Sequence, residues 1–185
     1  MRSHSNSKQL SLAAIGLGSN LGDREATLLA AWHELSRQQG IQALQLSSPY
    51  LSEPFEMDST QAFVNAVGLV ETVLNPLPLL HTLQTLEVRH GRRRDPGKKG
   101  YQDRSLDLDL LFWNDLCLES EELTLPHPRL HERLFVLAPL ADLLPHWQHP
   151  LLFKSASTLL TQVNTQGTQR AQRNTWNRSP DLSAS

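Results

Sequence analysis

Two aspartates, Asp107 and Asp109, stand two residues apart inside Leu106–Trp113, a run otherwise made of leucines and aromatics. A run this short and apolar reads as a buried strand. Side chains alternate across a strand, so both carboxylates leave by one face while Leu106, Leu108 and Leu110 leave by the other. Like charges held side by side in half-buried surroundings persist when they are protonated, paired with cations or coordinating a metal. The fold must therefore contain a sheet that is apolar on one face and carries chemistry on the other.

The rest of the chain supplies that sheet in alternation with helices. Residues 10–18, "LSLAAIGLG", read as a strand ending in glycines, and 19–40 as a helix with Asp23 as cap, Leu28, Leu29, Trp32 and Leu35 at helical spacing and Gly40 as stop. Residues 41–48 alternate with period two, and 49–61 read as a long loop containing two prolines. A strand over 62–73, a helix over 76–91 and the aspartate strand at 105–113 complete a βαββαβ order. "NDLCLE" reads as a returning hairpin arm, and 132–145 and 155–164 as helices, the latter capped by Ser155 or Ser157. The expected fold class is α+β, a ferredoxin-like βαββαβ core with an extra hairpin and C-terminal helices. The 185 residues suit one domain, 10–166, with a polar arm at 1–9 and an aperiodic polar tail at 167–185 expected to be disordered.

Charge and cysteine usage narrow the function classes. A formal net charge of −2 gives no field to attract nucleic acid or anionic membrane, so no partner of either kind is expected. The single Cys117 cannot form an internal disulfide, and the polar first residues do not read as a secretory signal, so a cytoplasmic protein is expected. The most apolar stretch, "LNPLPLLHTL", is cut by Pro76 and Pro78 and is shorter than the roughly 20 residues a bilayer span needs.

Any anion must be met by a local cluster, and one precedes the aspartates. Arg92, Arg93, Arg94, Lys98, Lys99 and Arg104 fill the segment before the strand, and Arg133 follows it. Carboxylates with oxygen-only coordination suit Mg²⁺, which is commonly held by one or two carboxylates plus substrate phosphates, while arginines suit the phosphates. A wet strand face is the plain alternative for a bare D-x-D, and the grouped arginines argue against it. His127 and His131 have the spacing of a zinc pair but lack a third ligand nearby.

"GLGSNLGD" (16–23), "FVNAV" (63–67), "LEVRHGRRR" (86–94), "DRSLDLDLLFW" (103–113) and "LPHPRLHERLFVLAPL" (125–140) together resemble the 6-hydroxymethyl-7,8-dihydropterin pyrophosphokinase family over about residues 12–150. The resemblance implies transfer of pyrophosphate from ATP to the pterin hydroxymethyl group in folate biosynthesis, with release of AMP and two Mg²⁺ ions on the triphosphate. It implies that Asp107 and Asp109 bind the metal and that Arg92, Arg94 and Arg104 meet the phosphates, with Arg92 and Arg104 catalytic beside the aspartates. His127 would contact phosphate, Arg133 the nucleotide, and Gln84 and Glu87 the nucleoside. For the pterin it implies Phe63 and Phe135 on the ring faces, Asn65 at the polar edge, and Ser52, Glu53 and Phe55 of the preceding loop.

The family's loop often reads "RWGPR" before the second key arginine, where this chain has "KKGYQDR", with Tyr101 the available aromatic. Segment 92–104 is expected to act as a lid over ATP. A degenerate relative that binds nucleotide or pterin without turnover is the main alternative, and the intact aspartate pair argues against it. An RNA-binding module lacks its adjacent aromatic strands, and an ordinary ADP-forming kinase lacks its GxxxxGK[ST] loop. The protein is expected to be a monomer.

Overall fold

The computed structural model describes residues 9–54, 60–92 and 103–180. The expected arm, the lid with Arg94 and Tyr101, Phe55 and the last five residues lie wholly or mainly outside them. The described elements are β1 (Ser11–Ser19), α1 (Arg24–Ser36), β2 (Ile41–Leu46), β3 (Tyr50–Ser52), β4 (Phe63–Thr72), α2 (Pro76–Arg89), β5 (Asp107–Trp113), β6 (Leu118–Glu119), β7 (Thr124–Leu125), α3 (Leu134–Leu143), α4 (Ala156–Gln166) and β8 (Ala171–Arg173). The architecture is α+β. Six strands form one antiparallel sheet in the order β5-β1-β4-β3-β8, with β2 on β4 beside β3.

Each face of that sheet carries its own core. On one, Ala13, Ile15, Leu17, Val70, Leu108 and Leu110 meet Leu28, Trp32 and Leu35 of α1 and Leu79, Leu83 and Leu86 of α2. The other joins Ala14, Val67, Leu111 and Phe112 to Leu134, Leu137 and Leu140 of α3 and Leu159 and Val163 of α4. Each fully buried leucine stabilises the fold by roughly 2 kcal/mol. Trp32 lies flat against β4 because Gly68 has no side chain; a Cβ there would come within 2.3 Å of the indole.

Local sequence explains the helix ends. Asp23 accepts a hydrogen bond from the Ala26 amide, Pro76 opens α2, and Ser155 caps α4 through the Thr158 amide. Gly40 and Gly167, at φ 82° and 66°, take the left-handed backbone that a side chain resists.

Three expectations are corrected. Within the expected 49–61 loop, Tyr50–Ser52 pairs with β4, a strand too short for its alternation to stand out. The "NDLCLE" arm does not return along β5: β6 and β7 pair with each other as a separate two-stranded sheet, because the chain turns away after Asn114. The tail also departs from disorder, since β8 pairs with β3 and the Trp176 indole donates to the Ser47 carbonyl at 2.9 Å. Backbone pairing needs no apolar periodicity, so a polar sequence can supply it. Among the described residues no helix is long and apolar enough to cross a membrane.

Candidate active site

The face that Asp107 and Asp109 share is built by glycines on the neighbouring strand. In the β1–β5 register Gly18 stands opposite Asp107 and Gly16 opposite Asp109, so no side chain rises between the carboxylates and β4. A Cβ on Gly18 would lie 3.2 Å from Asn65 Oδ1, and one on Gly16 would lie 3.3 Å from Leu111 and 3.7 Å from Asp109 Cβ. Past the aspartates the register shifts by one at Leu111, a bulge that puts Leu111 and Phe112 together in the second core. The Leu111 carbonyl accepts from the His127 amide at 2.8 Å, which docks His127 beside β5.

Three arginines surround the pair. Arg92 and Arg104 each place a guanidinium nitrogen 2.9 Å from Asp107 Oδ1, and Arg133 stands 3.7 Å from Asp109 Oδ2. Arg133 also lies over the Phe135 ring, 5.7 Å from its centre. Asp109 is held above the usual carboxylate range, at about 7, first by desolvation on the cleft floor and then by the negative charge of Asp107. Its side chain keeps 37 % exposure, so water still reaches it. His127 is pushed down to about 4, chiefly by burial and then by Arg133, and its Nδ1 accepts from the Arg129 amide. A neutral imidazole therefore faces this site near neutral pH.

Two supports were not read as such from the sequence. Glu87, expected beside Gln84 at the nucleoside, is turned inward with only 3 % side-chain exposure. Its Oε1 accepts from the Leu108 amide at 2.8 Å and pairs with Arg92, so it fixes the backbone between the two aspartates. Helical spacing explains the correction: position 87 shares the buried stripe of Leu83 and Leu86, whereas Gln84 is exposed. Burial raises the Glu87 pKa, against the Leu108 hydrogen bond and Arg92, which lower it. Asn20, inside the quoted "GLGSNLGD", holds the approach to β5. Its Oδ1 accepts from the Arg104 amide at 2.8 Å and its Nδ2 donates to Asp103 at 2.6 Å. An Asn after the glycines was the available signal, since its short amide readily clamps backbone.

A second group gathers next to this face. Asn65, on the same row as Gly18, donates from Nδ2 to Ser52 Oγ at 2.9 Å, and Phe63 is the register partner of Ser52. Ser52, Glu53 and Phe135 line one small pocket together with Thr168, Gln169 and Arg170. A larger cavity of about 460 Å³ continues from Ser52 and Glu53 to Leu134 and β8. The fold thus gathers Arg92, Arg104, Asp107, Asp109 and Arg133 at one end of the sheet, and Ser52, Glu53, Phe63, Asn65 and Phe135 beside them.

The donor set fits a hard divalent cation. Two carboxylates share one face across from Gly16 and Gly18, with arginines, the natural partners of phosphate, on both of them. Mg²⁺ is commonly held in that way, by few carboxylates completed by phosphate.

Residues 14–145 match the profile of the 7,8-dihydro-6-hydroxymethylpterin-pyrophosphokinase family, HPPK. The chain belongs to the HPPK family. It is 40 % identical over 132 residues to the 2-amino-4-hydroxy-6-hydroxymethyldihydropteridine pyrophosphokinase of Bacillus subtilis, covering 71 % of this chain and 77 % of that protein. Identity to the enzyme of the same name from Porphyromonas gingivalis is 39 % over 142 residues, 76 % of this chain and 95 % of that one. The crystal structure of wild-type Plasmodium falciparum HPPK-DHPS shares the fold, with a TM-score of 0.68 at 16 % identity over 88 % of this chain. This chain spans 42 % of that longer one. The HPPK match runs from within β1 through α3 and takes in the aspartates, Arg92, Arg104, Arg133 and both phenylalanines. It stops before α4 and β8, so the strand that closes the far edge of the sheet lies beyond the matched region.

Proposed function

We propose that this HPPK-family chain transfers pyrophosphate from ATP to the hydroxymethyl group of 6-hydroxymethyl-7,8-dihydropterin in folate biosynthesis, through the face that carries Asp107 and Asp109. The hydroxymethyl oxygen attacks the β-phosphorus, the bond between the α- and β-phosphates breaks, and AMP leaves. The hydroxyl proton passes to an acceptor, for which an Asp109 oxygen is the site's own group. The observation that supports this reading is the carboxylate pair set across from Gly16 and Gly18 and ringed by Arg92, Arg104 and Arg133.

Charge balance supports two Mg²⁺ ions on the pair. ATP brings about four negative charges and the aspartates two, so two divalent ions leave a remainder for guanidiniums to spread as charge shifts toward AMP. The metal supplies Lewis-acid polarisation of the phosphates when bound. Arg92 and Arg104 then exchange Asp107 for phosphate, and Glu87 keeps Arg92 within reach. Arg94 belongs to the same phosphate-binding set on the strength of the family motif. His127, neutral, can donate to phosphate without carrying charge, and Gln84 on the exposed face of α2 is placed for the nucleoside.

The pterin is assigned to the neighbouring slot. Phe63 and Phe135 offer ring faces, Asn65 and Ser52 polar edges, and Glu53 the loop that borders them, with Phe55 joining the set on the strength of the family resemblance. The strand order β5-β1-β4 followed by β2 and β3, all antiparallel, supports a ferredoxin-like core. We read the protein as a cytoplasmic monomer, with the exposed thiol of Cys117 suited to a reducing compartment.

Incubation with ATP, Mg²⁺ and the hydroxymethyl-dihydropterin tests the assignment. AMP and diphosphorylated pterin should appear in equal amounts. ADP as the sole nucleotide product would overturn it.

A further inference from the structure

The C-terminal strap, residues 168–177, reaches the candidate site without belonging to the region the family match covers. It leaves α4 through the left-handed turn at Gly167 and runs back along the sheet. On the way Ala171, Gln172 and Arg173 pair with Ser52, Leu51 and Tyr50. The Asn174 amide then donates to the Pro49 carbonyl at 2.8 Å, the Trp176 indole to the Ser47 carbonyl, and the Asn177 amide to Glu25 Oε2 at 3.1 Å. Four anchors in succession leave the strap a fixed part of the molecule.

Gln169 is where the strap meets the site. The first turn of α3 has no side-chain cap from its own N-cap residue, Arg133. A helix start leaves amides without intrahelical partners, and these must be satisfied from outside. Gln169 does so across 35 residues of sequence: its Oε1 accepts from the Leu134 amide at 2.9 Å. Its Nε2 donates to the Glu132 carbonyl at 2.7 Å. One side-chain amide thus holds the backbone on both sides of Arg133, and one residue further on stands Phe135. Two residues beyond Gln169, the strap is already paired to Ser52, whose hydroxyl holds Asn65. Gln169 therefore connects the two walls of the slot between β3 and α3.

We infer that Gln169 is a positioning residue for pterin binding: it sets the separation of the Phe135 wall on α3 from the Ser52–Asn65 wall on the sheet. This rests on the reading of that slot as the pterin site. A flat heterocycle needs its two faces spaced to within a fraction of an ångström to keep both contacts, and a ring wall on an uncapped helix start moves more than that. Gln169 borders the slot, but both ends of its amide are engaged by the backbone of Glu132 and Leu134. Of the groups assigned to ATP only Arg133 lies on the clasped backbone, while Arg92, Arg104 and the metal pair stand elsewhere.

The experiment compares full-length wild type with Gln169→Ala and Gln169→Glu. It reads equilibrium binding of the hydroxymethyl-dihydropterin and of ATP, melting temperature, and exchange of the Leu134 amide in the ligand-free protein. Gln169→Ala should weaken pterin binding about five- to tenfold, move ATP binding by less than about twofold, and speed Leu134 exchange. Gln169→Glu keeps the acceptor but not the donor, so it should restore Leu134 protection and recover part of the pterin affinity. Pterin binding unchanged in Gln169→Ala would overturn the inference. So would equal losses for pterin and ATP that track the melting temperature, because those mark general loosening. Should wild type bind no pterin, the pterin reading of the slot fails and the inference with it. Leu134 exchange that still depends on Gln169 would then show a helix cap and nothing more.

Discussion

The two edges of the main sheet are held by different physics. At the β5 edge the contacts are charged and crowded: Arg92 and Arg104 on Asp107, Arg133 near Asp109, and Glu87 buried against Arg92 and the Leu108 amide. The far edge is closed mainly by neutral groups, with β8 paired to β3, Gln169 clasping the start of α3 and Trp176 seated over Ser47. Like charges and buried carboxylates cost stability, so the first edge persists for what it can bind. Backbone pairing and an indole in contact with the core contribute stability outright, so the second edge holds the scaffold. Activity and stability should therefore come apart under mutation according to which edge is struck.

The largest expected effect falls on the charged edge. Asp107→Ala and Asp109→Ala should each lower turnover by about 10²–10³-fold or more, because each removes a shared oxygen ligand and leaves phosphate charge uncompensated. In urea, Asp109→Ala should show stability equal to wild type or slightly higher, since carboxylate repulsion is relieved, whereas Asp107→Ala removes the carboxylate that Arg92 and Arg104 share and should be less stable, though still folded. A variant near wild-type rate at saturating Mg²⁺ would reduce the pair to a wet strand face. One that unfolds would erase the contrast between the edges.

The two edges were also unequally legible in the sequence, for the same reason. Asp107 and Asp109 are exceptions to an apolar run, and an exception of that kind announces itself. The arginines came with them, and the element order followed from periodicity in β1, α1, β4, α2 and β5. Nothing in "GTQRAQRNTW" departs from what a solvated tail looks like, because β8 uses its backbone and Gln169 a neutral amide. Glu87 was visible as a residue but misplaced in role. The family resemblance gave it to the nucleoside, whereas its alignment with Leu83 and Leu86 points inward.

Ending the chain after Gly167 strikes the neutral edge. It removes β8, the Trp176 contact with the first core and the clasp of Gln169 on α3. Loss of about 2–3 kcal/mol is expected, lowering the melting temperature by roughly 5–10 °C. With Mg²⁺ and ATP saturating, turnover at high pterin should stay within a few-fold of wild type, because Arg92, Arg104 and the two aspartates are untouched. A melting temperature unchanged by the truncation would mean the strap contributes nothing to the scaffold.

His127 lies between the two regimes, near the charges but held by burial. Its pKa falls from about 6.5 in the unfolded chain to about 4 in the fold, so between those values the unfolded state binds more protons and stability rises with pH. The His127 contribution is thus fully present above about pH 6.5 and is lost as pH drops toward 4, on the order of 3 kcal/mol in all. Asp109, raised in the fold, acts in the opposite sense, so the useful quantity is the difference between wild type and His127→Gln. Urea unfolding from pH 7 to pH 4.5 should show the variant losing less stability than wild type. Parallel curves would mean that the imidazole takes up its proton in the fold as easily as in water.

The smallest effect tests whether the neutral edge is additive. Tyr50, on β3, donates its hydroxyl to Asp142 Oδ2 on α3 at 2.9 Å, and Arg173 of β8 reaches the same oxygen at 3.1 Å. One carboxylate thus links strand, helix and strap. Burial and then Asp142 push the Tyr50 pKa up to about 12, so the phenol stays protonated and keeps donating throughout the working range. Tyr50→Phe should cost about 1 kcal/mol, the ordinary worth of one such hydrogen bond, without changing turnover. Arg173 is largely exposed, so Arg173→Ala alone should cost about 0.5 kcal/mol or less. Because the two donors share one oxygen, the double variant should deviate from the sum by about 0.5 kcal/mol, measurable in a urea double-mutant cycle. Strict additivity would show that strap and sheet hold α3 independently. A change in turnover from Tyr50→Phe would show that the two edges of the sheet communicate.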